Sequence, residues 1–357
     1  MSATPVELAA MARARELAAG VLGTTSPNPA VGAVVLAADG TPVGEGATAP
    51  PGGPHAEIRA LARAGDRARG GTAVVTLEPC AHTGRTGPCA DALLAAGVAR
   101  VVIAVPEPTS LAGGGAERLR AAGVDVVLGV EQAQAEDGAL AAWLTGVREQ
   151  RPQVVWKAAG TLDGRVAAAD GSSRWVTGPE ARAAVHRLRA TCDAVVVGSG
   201  TALADDPQLT VRDAAGRNAG RQPLRVVLDR RGRLPGTARV RDDAAPTLVS
   251  TAATPRDLLA ELFARDVRRV LLEGGPTLAA AFLRDGLVDE AVVHLAPRLL
   301  GAGASLVGDL GITTIGDALS LTVVDVTRLG GDVELRLRPT RHTGRVGGSA
   351  DGRAVGS

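Results

Sequence analysis

The residues best suited to chemistry begin with His55-Ala56-Glu57, which opens a helical pattern just after Gly52-Gly53-Pro54. Two Pro-Cys steps follow, Glu78-Pro79-Cys80 and Pro88-Cys89. Cys80 comes after a strand-like run. Cys89 starts a helix with Pro88 near its first position, a placement proline favours. A thiolate at a helix N-terminus is stabilised by the dipole and the exposed amides. One imidazole and two thiolates make three ligands whose charge neutralises Zn²⁺, and a fourth position is left for water, as in catalytic zinc sites. Water held on zinc reaches a pKa of about 7, so hydroxide is available at neutral pH. Glu57, close to the imidazole in sequence, suits a proton shuttle from that water to a leaving amine. His-x-Glu followed by a cysteine pair is the zinc-deaminase pattern, although Cys80 and Cys89 stand wider apart than its usual Cys-x-x-Cys. A structural zinc is the competing reading. It needs a fourth protein ligand, for which His82 is the candidate, and it leaves Glu57 without a role and only the other half of the chain active.

A second candidate lies in Val270-Leu271-Leu272-Glu273-Gly274-Gly275-Pro276-Thr277. An apolar strand runs into paired glycines, and a helix begins at Pro276. Glycines let a phosphate approach the backbone, and free amides at a helix start attract it. The same pattern also serves as plain packing. Val197-Gly198-Ser199-Gly200-Thr201 lacks the third glycine of a dinucleotide fingerprint and reads as a tight turn. Lys157 is the only lysine in the chain. Arginine has replaced it elsewhere, which marks Lys157 for a specific role unless it is a chance survivor. Cys192 reads as a small buried apolar residue. His186 reads as a surface residue on a helix, and His294 as structural in an apolar strand.

The elements that must position these residues alternate between helix and strand. An Ala/Leu-rich helical pattern over 5–22 ends at Gly23, before the turn cluster 24–29. Strands are expected at 31–36, 42–47, 73–77, 100–105 and 124–128, with a hairpin turn at Asp39-Gly40. Helices are expected at 55–64, 88–97 and 114–122, then as one long helix over 131–149. Arg151-Pro152 breaks the pattern and places a domain boundary near 150. Beyond it, strands are expected at 153–159, 194–198, 224–229, 247–250, 268–273, 290–295, 321–328 and 332–338, and helices at 179–190, 255–264 and 276–284. This alternation predicts an α/β fold with at least part of the sheet parallel. The Gly-, Arg- and Ser-rich tail, 341–357, has no apolar period and is expected to be disordered.

Composition narrows the function. A length of 357 residues favours two domains. Lys and Arg total 39 against 38 for Asp and Glu, without a long run of one sign, so nucleic acid is not a favoured partner. Three Trp, two Phe and no Tyr also argue against a base-stacking platform. No apolar run approaches the ~20 residues that span a bilayer, and the N-terminus lacks a signal-peptide pattern. Cys80, Cys89 and Cys192 are odd in number, which favours metal binding or catalysis over a disulfide framework and a cytoplasmic location.

Taken together, Ser26-Pro27-Asn28-Pro29-Ala30-Val31-Gly32-Ala33, His55-Ala56-Glu57 and the run from Thr76 to Cys89 closely resemble the bifunctional riboflavin-biosynthesis deaminase-reductases (RibD/RibG). The wide cysteine spacing around His82-Thr83-Gly84-Arg85-Thr86 is specific to that family among cytidine-deaminase-like folds. The resemblance continues through Lys157, Leu162-Asp163-Gly164-Arg165, Ser173-Arg174-Trp175-Val176-Thr177, the run from Leu203 to Thr210, Glu273-Gly274-Gly275-Pro276-Thr277, and Ala296-Pro297-Arg298-Leu299-Leu300-Gly301. It covers about residues 5–338. It implies an N-terminal cytidine-deaminase-like α/β/α domain over 1–150 and a C-terminal dihydrofolate-reductase-like α/β domain over 151–340.

The implied first reaction is hydrolytic deamination of 2,5-diamino-6-ribosylamino-4(3H)-pyrimidinone 5′-phosphate. The second reduces its ribosyl group to ribityl with NADPH. By resemblance, zinc sits on His55, Cys80 and Cys89, Glu57 donates the proton, and Asn28 and Arg85 meet the deaminase substrate. NADPH is implied to touch Ala159, Trp175, Thr201 and Asp205, with Gly275, Pro276, Thr277, Leu278, Ala279, Ala280 and Ala281 around its phosphates. The reductase substrate is implied to meet Lys157, Ser173, Thr177, Arg189, Leu209, Arg212 and Glu273. Arg189 and Arg212 can neutralise its phosphate, Ser173 can donate to it, and Glu273 can accept from ribose hydroxyls. Family members commonly self-associate, which implies a homo-oligomer.

Departures from the family pattern fall away from the zinc ligands. Thr48 stands where the family has His, Glu107-Pro108-Thr109-Ser110 replaces Asp-Pro-Asn-Pro, and Gly87 replaces Pro. All are expected on the substrate-contacting rim. A deaminase acting on free cytidine or on tRNA adenosine, with an accessory domain, is the rival enzyme. The near-neutral charge and the Lys157-to-Glu273 pattern argue against it.

Overall fold

Short β-branched runs form the first sheet, and alanine lets helices lie close against it. A computed structural model describes residues 2–82 and 87–340. Helix α1 (Pro5–Ala19) starts at a capping box: Glu7 N–H donates to the Thr4 hydroxyl, and Thr4 N–H donates to the Glu7 carboxylate. Strands β1 (Gly32–Leu36) and β2 (Pro42–Ala47) form the expected hairpin. Helix α2 (Ala56–Ala64) follows, then β3 (Thr72–Leu77), α3 (Cys89–Ala96), β4 (Arg100–Val105), α4 (Gly115–Ala121) and β5 (Asp125–Leu128). The sheet order is β2-β1-β3-β4-β5; β1 is antiparallel to both β2 and β3, and β3, β4 and β5 are parallel.

Two glycines set the layers. A Cβ on Gly32 would lie 1.9 Å from the Ala14 carbonyl oxygen, and one on Gly46 would lie 2.2 Å from that of Ala56. Gly46 pairs with Ala33, the residue after Gly32, so the two glycines face opposite sides of the sheet. Helices α1 and α2 therefore cover opposite faces, giving an α/β/α layering.

The long helix expected over 131–149 is instead two, α5 (Gln132–Glu136) and α6 (Ala141–Glu149). They part at Asp137-Gly138, where glycine weakens a helix interior, and Leu140 turns into the core.

Gln150, at φ 53°, and Arg151-Pro152 lead into β6 (Gln153–Thr161). Then come α7 (Pro179–Ala190), β7 (Ala194–Gly198), α8 (Ser199–Asp205), β8 (Leu224–Leu228), β9 (Thr247–Ser250), α9 (Pro255–Phe263), β10 (Arg269–Leu272), α10 (Pro276–Arg284), β11 (Glu290–Ala296), β12 (Leu321–Leu329) and β13 (Asp332–Pro339). They build one sheet, ordered β12-β13-β11-β6-β10-β7-β8-β9. The strands from β11 to β9 in that order are parallel, and β13 and β12 close one edge antiparallel. Helix α8 was not expected. Its glycines and aspartate hide a short helix inside what reads as a turn.

The two sheets meet through specific contacts. A Cβ on Gly23 would sit 2.4 Å from the Ala190 carbonyl oxygen, so the turn after α1 rests directly on the end of α7. The Ser26 hydroxyl donates to the buried Asp193 carboxylate at 2.8 Å, and the Arg268 and Arg269 N–H groups donate to the same oxygen, each at 2.9 Å. Within the second domain, Arg151 just before β6 holds Asp289 just before β11 with two bonds of 2.7 and 2.8 Å. Among the described residues no helix is long and apolar enough to cross a membrane. The tail 341–357 and Arg85 lie outside the described residues.

Candidate active sites

In the first domain, three element ends converge. His55 is the N-cap of α2, Cys89 is the first residue of α3, and Cys80 follows β3 after Glu78-Pro79. His55 Nδ1 lies 3.2 Å from Cys89 Sγ and 3.8 Å from Cys80 Sγ, and Cys89 N–H points at Cys80 Sγ at 3.4 Å. All three donor atoms lie within 4.8 Å of one another. Zinc bonds of about 2.3 Å to sulfur and 2.0 Å to nitrogen place tetrahedral ligand atoms roughly 3.5–3.8 Å apart, so the cluster fits that ion. A cation would let both thiols ionise. The contact with Cys89 pulls Cys80 down to about 4 against desolvation, helped by His55, while the contact with Cys80 and burial push Cys89 up. Unaided, the pair keeps one proton; a dication lets both ionise. His82 is not a member of this cluster, so among the described residues no fourth side chain saturates the site.

Glu57 lies in the first turn of α2 and is buried, 6% exposed. Burial raises its pKa, opposed by its own backbone amide and by His55. A carboxyl that holds a proton more tightly than usual, beside the ligand cluster, suits proton transfer. Sequence reasoning missed the support beneath the site. Glu78 accepts from Glu107 N–H at 3.0 Å and from Ala116 N–H at 2.9 Å, fastening the Cys80 segment to the loop after β4 and to the start of α4.

Asn28 is exposed in the turn before β1. Thr48 is not on a rim: it is buried, and its hydroxyl accepts from Val31 N–H at 3.0 Å. There it pins the start of β1 to the end of β2. Thr109 is held by the Glu107 carboxylate within its own loop.

In the second domain the β6, β7 and β10 side chains Val155, Val195, Val197 and Leu271 share one core with Leu188 of α7. Strand periodicity puts Lys157 and Glu273 on that same face, because Leu272 pairs with Trp156 just before them. Arg189 reaches in from α7. It donates to Glu273 through Nε at 2.7 Å and Nη2 at 2.8 Å, and to the Thr210 carbonyl through Nη1 at 2.9 Å. Arg189 is therefore not a free phosphate clamp; its charge is matched by Glu273. Desolvation opposes the Glu273 charge, but Arg189 and Lys157 hold its pKa below the usual carboxylate range. Burial lowers the pKa of Lys157, with Glu273 opposing.

Arg212 donates only to neutral oxygens, Thr210 Oγ1 at 3.2 Å and Gln208 Oε1 at 2.8 Å. It remains able to meet an anion. Leu209, at φ 55°, is buried and turns the chain so that Thr210 and Arg212 face α7. His186 is not a surface residue. It is half-buried, with Nδ1 3.1 Å from the Thr210 carbonyl oxygen and 3.2 Å from Arg212 N.

Of the expected cofactor residues, Thr201 and Gly275 follow the carboxyl ends of β7 and β10. Thr201 Oγ1 accepts from Gly275 N–H at 3.1 Å, joining α8 to the start of α10. Trp175 is 63% exposed, with the Arg182 guanidinium 4.7 Å above its ring. Ser173 and Thr177 flank it, and the Thr177 carbonyl accepts from Arg182 at 2.8 Å. Ala159 is half-buried on β6, and Asp205 is exposed at the end of α8. Within 275–281 one correction is needed. Ala279 and Ala280 are buried core side chains, because α10 turns them onto the sheet with Phe282. A ligand at this helix start would meet Gly275, Pro276, Thr277 and Leu278. Cys192 is buried as expected, and burial pushes its thiol up to about 11. His294 is buried against Glu334, Nε2 to Oε2 3.0 Å.

Comparison with known proteins finds a family match in each half of the chain. Residues 6–105 match the cytidine and deoxycytidylate deaminase zinc-binding region, and residues 152–335 match the RibD C-terminal domain. The riboflavin biosynthesis protein RibD of Mycobacterium tuberculosis is 48% identical over 92% of this chain and 96% of its own. That of Escherichia coli is 41% identical over 92% of this chain and 98% of its own. The solved diaminohydroxyphosphoribosylaminopyrimidine deaminase/5-amino-6-(5-phosphoribosylamino)uracil reductase of Thermotoga maritima superposes with a TM-score of 0.86 at 35% identity, covering 94% of this chain and 99% of that one. With its deaminase and reductase halves in one polypeptide, the chain belongs to the RibD family of bifunctional riboflavin-biosynthesis enzymes.

Proposed function

We propose that the first domain deaminates 2,5-diamino-6-ribosylamino-4(3H)-pyrimidinone 5′-phosphate and that the second reduces the ribosyl group of the product to ribityl. The observation that carries the first half is the three-membered His55, Cys80, Cys89 cluster beside buried Glu57. Bound zinc supplies the polarisation that makes a water acidic near neutral pH. Glu57 takes the proton of the attacking water and returns it to the exocyclic amine, which leaves as ammonia. Asn28 and Arg85 receive the substrate.

In the second domain, bound NADPH would supply the hydride needed at the ribosyl carbon. Thr201, Ala159, Trp175, Asp205 and the residues from Gly275 hold the cofactor. Arg212 and Ser173 bind the substrate phosphate, Leu209 and Thr177 shape the pocket, and Glu273, fixed by Arg189, accepts from ribose hydroxyls. Lys157 donates the proton taken up by the ribosyl ring oxygen. Lys157→Met is therefore expected to lower reductase kcat by about 10²–10⁴-fold and to leave deamination unchanged. Unchanged NADPH turnover in that variant rejects the role.

The reading as a whole is tested by offering purified protein the pyrimidine substrate. Ammonia should be released without NADPH, NADPH should be consumed only after deamination, and zinc should be stoichiometric with the chain. Zinc-loaded protein that releases no ammonia overturns the first half.

The partner is a small phosphorylated pyrimidine, with neither nucleic acid nor membrane involved. A cytoplasmic location fits the three free cysteines. We also place a homo-oligomer contact on β12. This edge strand shows Val323, Val324 and Val326 at 50% exposure or more, and an apolar, unpaired edge is a template for a second copy. Val323→Lys with Val326→Lys is expected to convert the oligomer to monomer by light scattering. A wild-type chain that is already monomeric ends the proposal.

A further inference from the structure

Arg225 of β8 takes no part in either reaction, yet it is fully buried. Strand periodicity puts it on the same face as Val227, in the core shared with Val155, Leu271 and Leu188. Its Nη1 donates to Asp242 Oδ1 at 2.6 Å and to the Gln208 carbonyl at 3.2 Å. Its Nη2 donates to the Ala245 carbonyl at 2.5 Å and to the Asp242 carbonyl. A buried charge has to be paired and hydrogen-bonded, and these bonds fasten Asp242 and Gln208 to one rigid strand.

Asp242 passes the constraint on. Its Oδ2 accepts from Gln208 Nε2 at 2.6 Å, and Gln208 Oε1 accepts from Arg212 Nη2 at 2.8 Å. Arg225 holds the Asp242 carboxyl below the usual carboxylate range against desolvation, with help from Gln208, so at neutral pH it only accepts. That dictates the orientation of the Gln208 amide: its NH₂ turns to Asp242 and its oxygen to Arg212. Arg212 is then held at two points, since its Nε donates to Thr210 Oγ1 at 3.2 Å. A carboxylate set directly on Arg212 would neutralise it, as Glu273 neutralises Arg189. An amide set between them orients the guanidinium and leaves its charge free for an anion.

We propose that Asp242, anchored by Arg225, positions Arg212 for the substrate phosphate through the Gln208 amide. This rests on the reading of Arg212 as a phosphate ligand. Gln208 and Asp242 are positioning residues: they touch Arg212 and each other, and act on the substrate only through the guanidinium. Their effect is therefore confined to ligands that carry the phosphate.

The test follows reduction of the deaminated substrate by the wild-type chain and by Q208L, D242N and R212A. Q208L is expected to raise KM for the phosphorylated substrate about tenfold, with kcat and KM for NADPH little changed. The dephosphorylated nucleoside, measured as a competitor, should bind Q208L and wild type equally. D242N cannot accept from Arg225 and Gln208 together through two carboxylate oxygens, so it should move the same KM in the same direction. R212A/Q208L should be no worse than R212A alone, because Gln208 has then lost the group it acts on. Retained ammonia release reports that each variant chain is folded. An unchanged KM in Q208L, or an equal loss of affinity for substrate and nucleoside, overturns the proposal. If R212A itself leaves KM for the phosphorylated substrate unchanged, the reading of Arg212 as a phosphate ligand fails instead.

Discussion

Replacing Glu57 with glutamine is expected to lower deamination by about 10²–10⁴-fold, while zinc content and the reduction of pre-deaminated substrate stay at wild-type levels. Glutamine keeps the shape of the buried side chain but cannot carry a proton between water and amine. The three ligand atoms do not include a Glu57 oxygen, so the ion should remain. The second domain builds its site from other elements, so its rate should not follow. Ammonia release, metal analysis and NADPH consumption on one preparation separate these outcomes. Ammonia release at the wild-type rate would remove Glu57 from the mechanism.

Glu273→Ala is expected to be the most damaging single change in the second domain. Glu273 and Arg189 are both nearly buried, with side chains 11% and 13% exposed. Removing one partner of a buried pair leaves the other charge uncompensated, at a cost of about 3–5 kcal/mol. For a domain of this size, that lowers the unfolding temperature by on the order of 10 °C. Reduction should be lost as well. The double variant Glu273→Leu with Arg189→Met separates the two effects, since an apolar replacement of both partners restores much of the stability. It should melt near the wild type and still fail to reduce. Normal NADPH turnover in the double variant would make the pair scaffolding alone.

What could be read from the sequence was what is local. His55, Cys80 and Cys89 were legible because each sits where an element starts or ends, and such ends signal themselves through Pro, Gly and a change of period. Strand positions were legible for the same reason. The pairing of Arg189 with Glu273 was not, because it spans 84 residues of sequence and depends on β10 inserting between β6 and β7. His186 looked like a surface residue because its helix is rich in arginine, and only the fold brings the Thr210 segment against it. The burial of Ala279 and Ala280 could have been found, since they share with Phe282 the apolar face of α10. Helix α8 and the division of α5 from α6 were hidden by glycines that fit turn and helix alike.

The seat of Gly23 on the end of α7, with Ser26 bonded to Asp193, joins two catalysts at segments that carry their site residues. The same turn carries Asn28, and the same helix end carries Arg189. Severing the gene between the halves would strip the reductase of a surface its helix has grown to fit, and would leave the deaminase's turn without a floor. In this chain, fusion is more than a way of making two proteins in equal amounts. A change on one side of that seam meets a residue of the other half, so the two halves are best engineered together there.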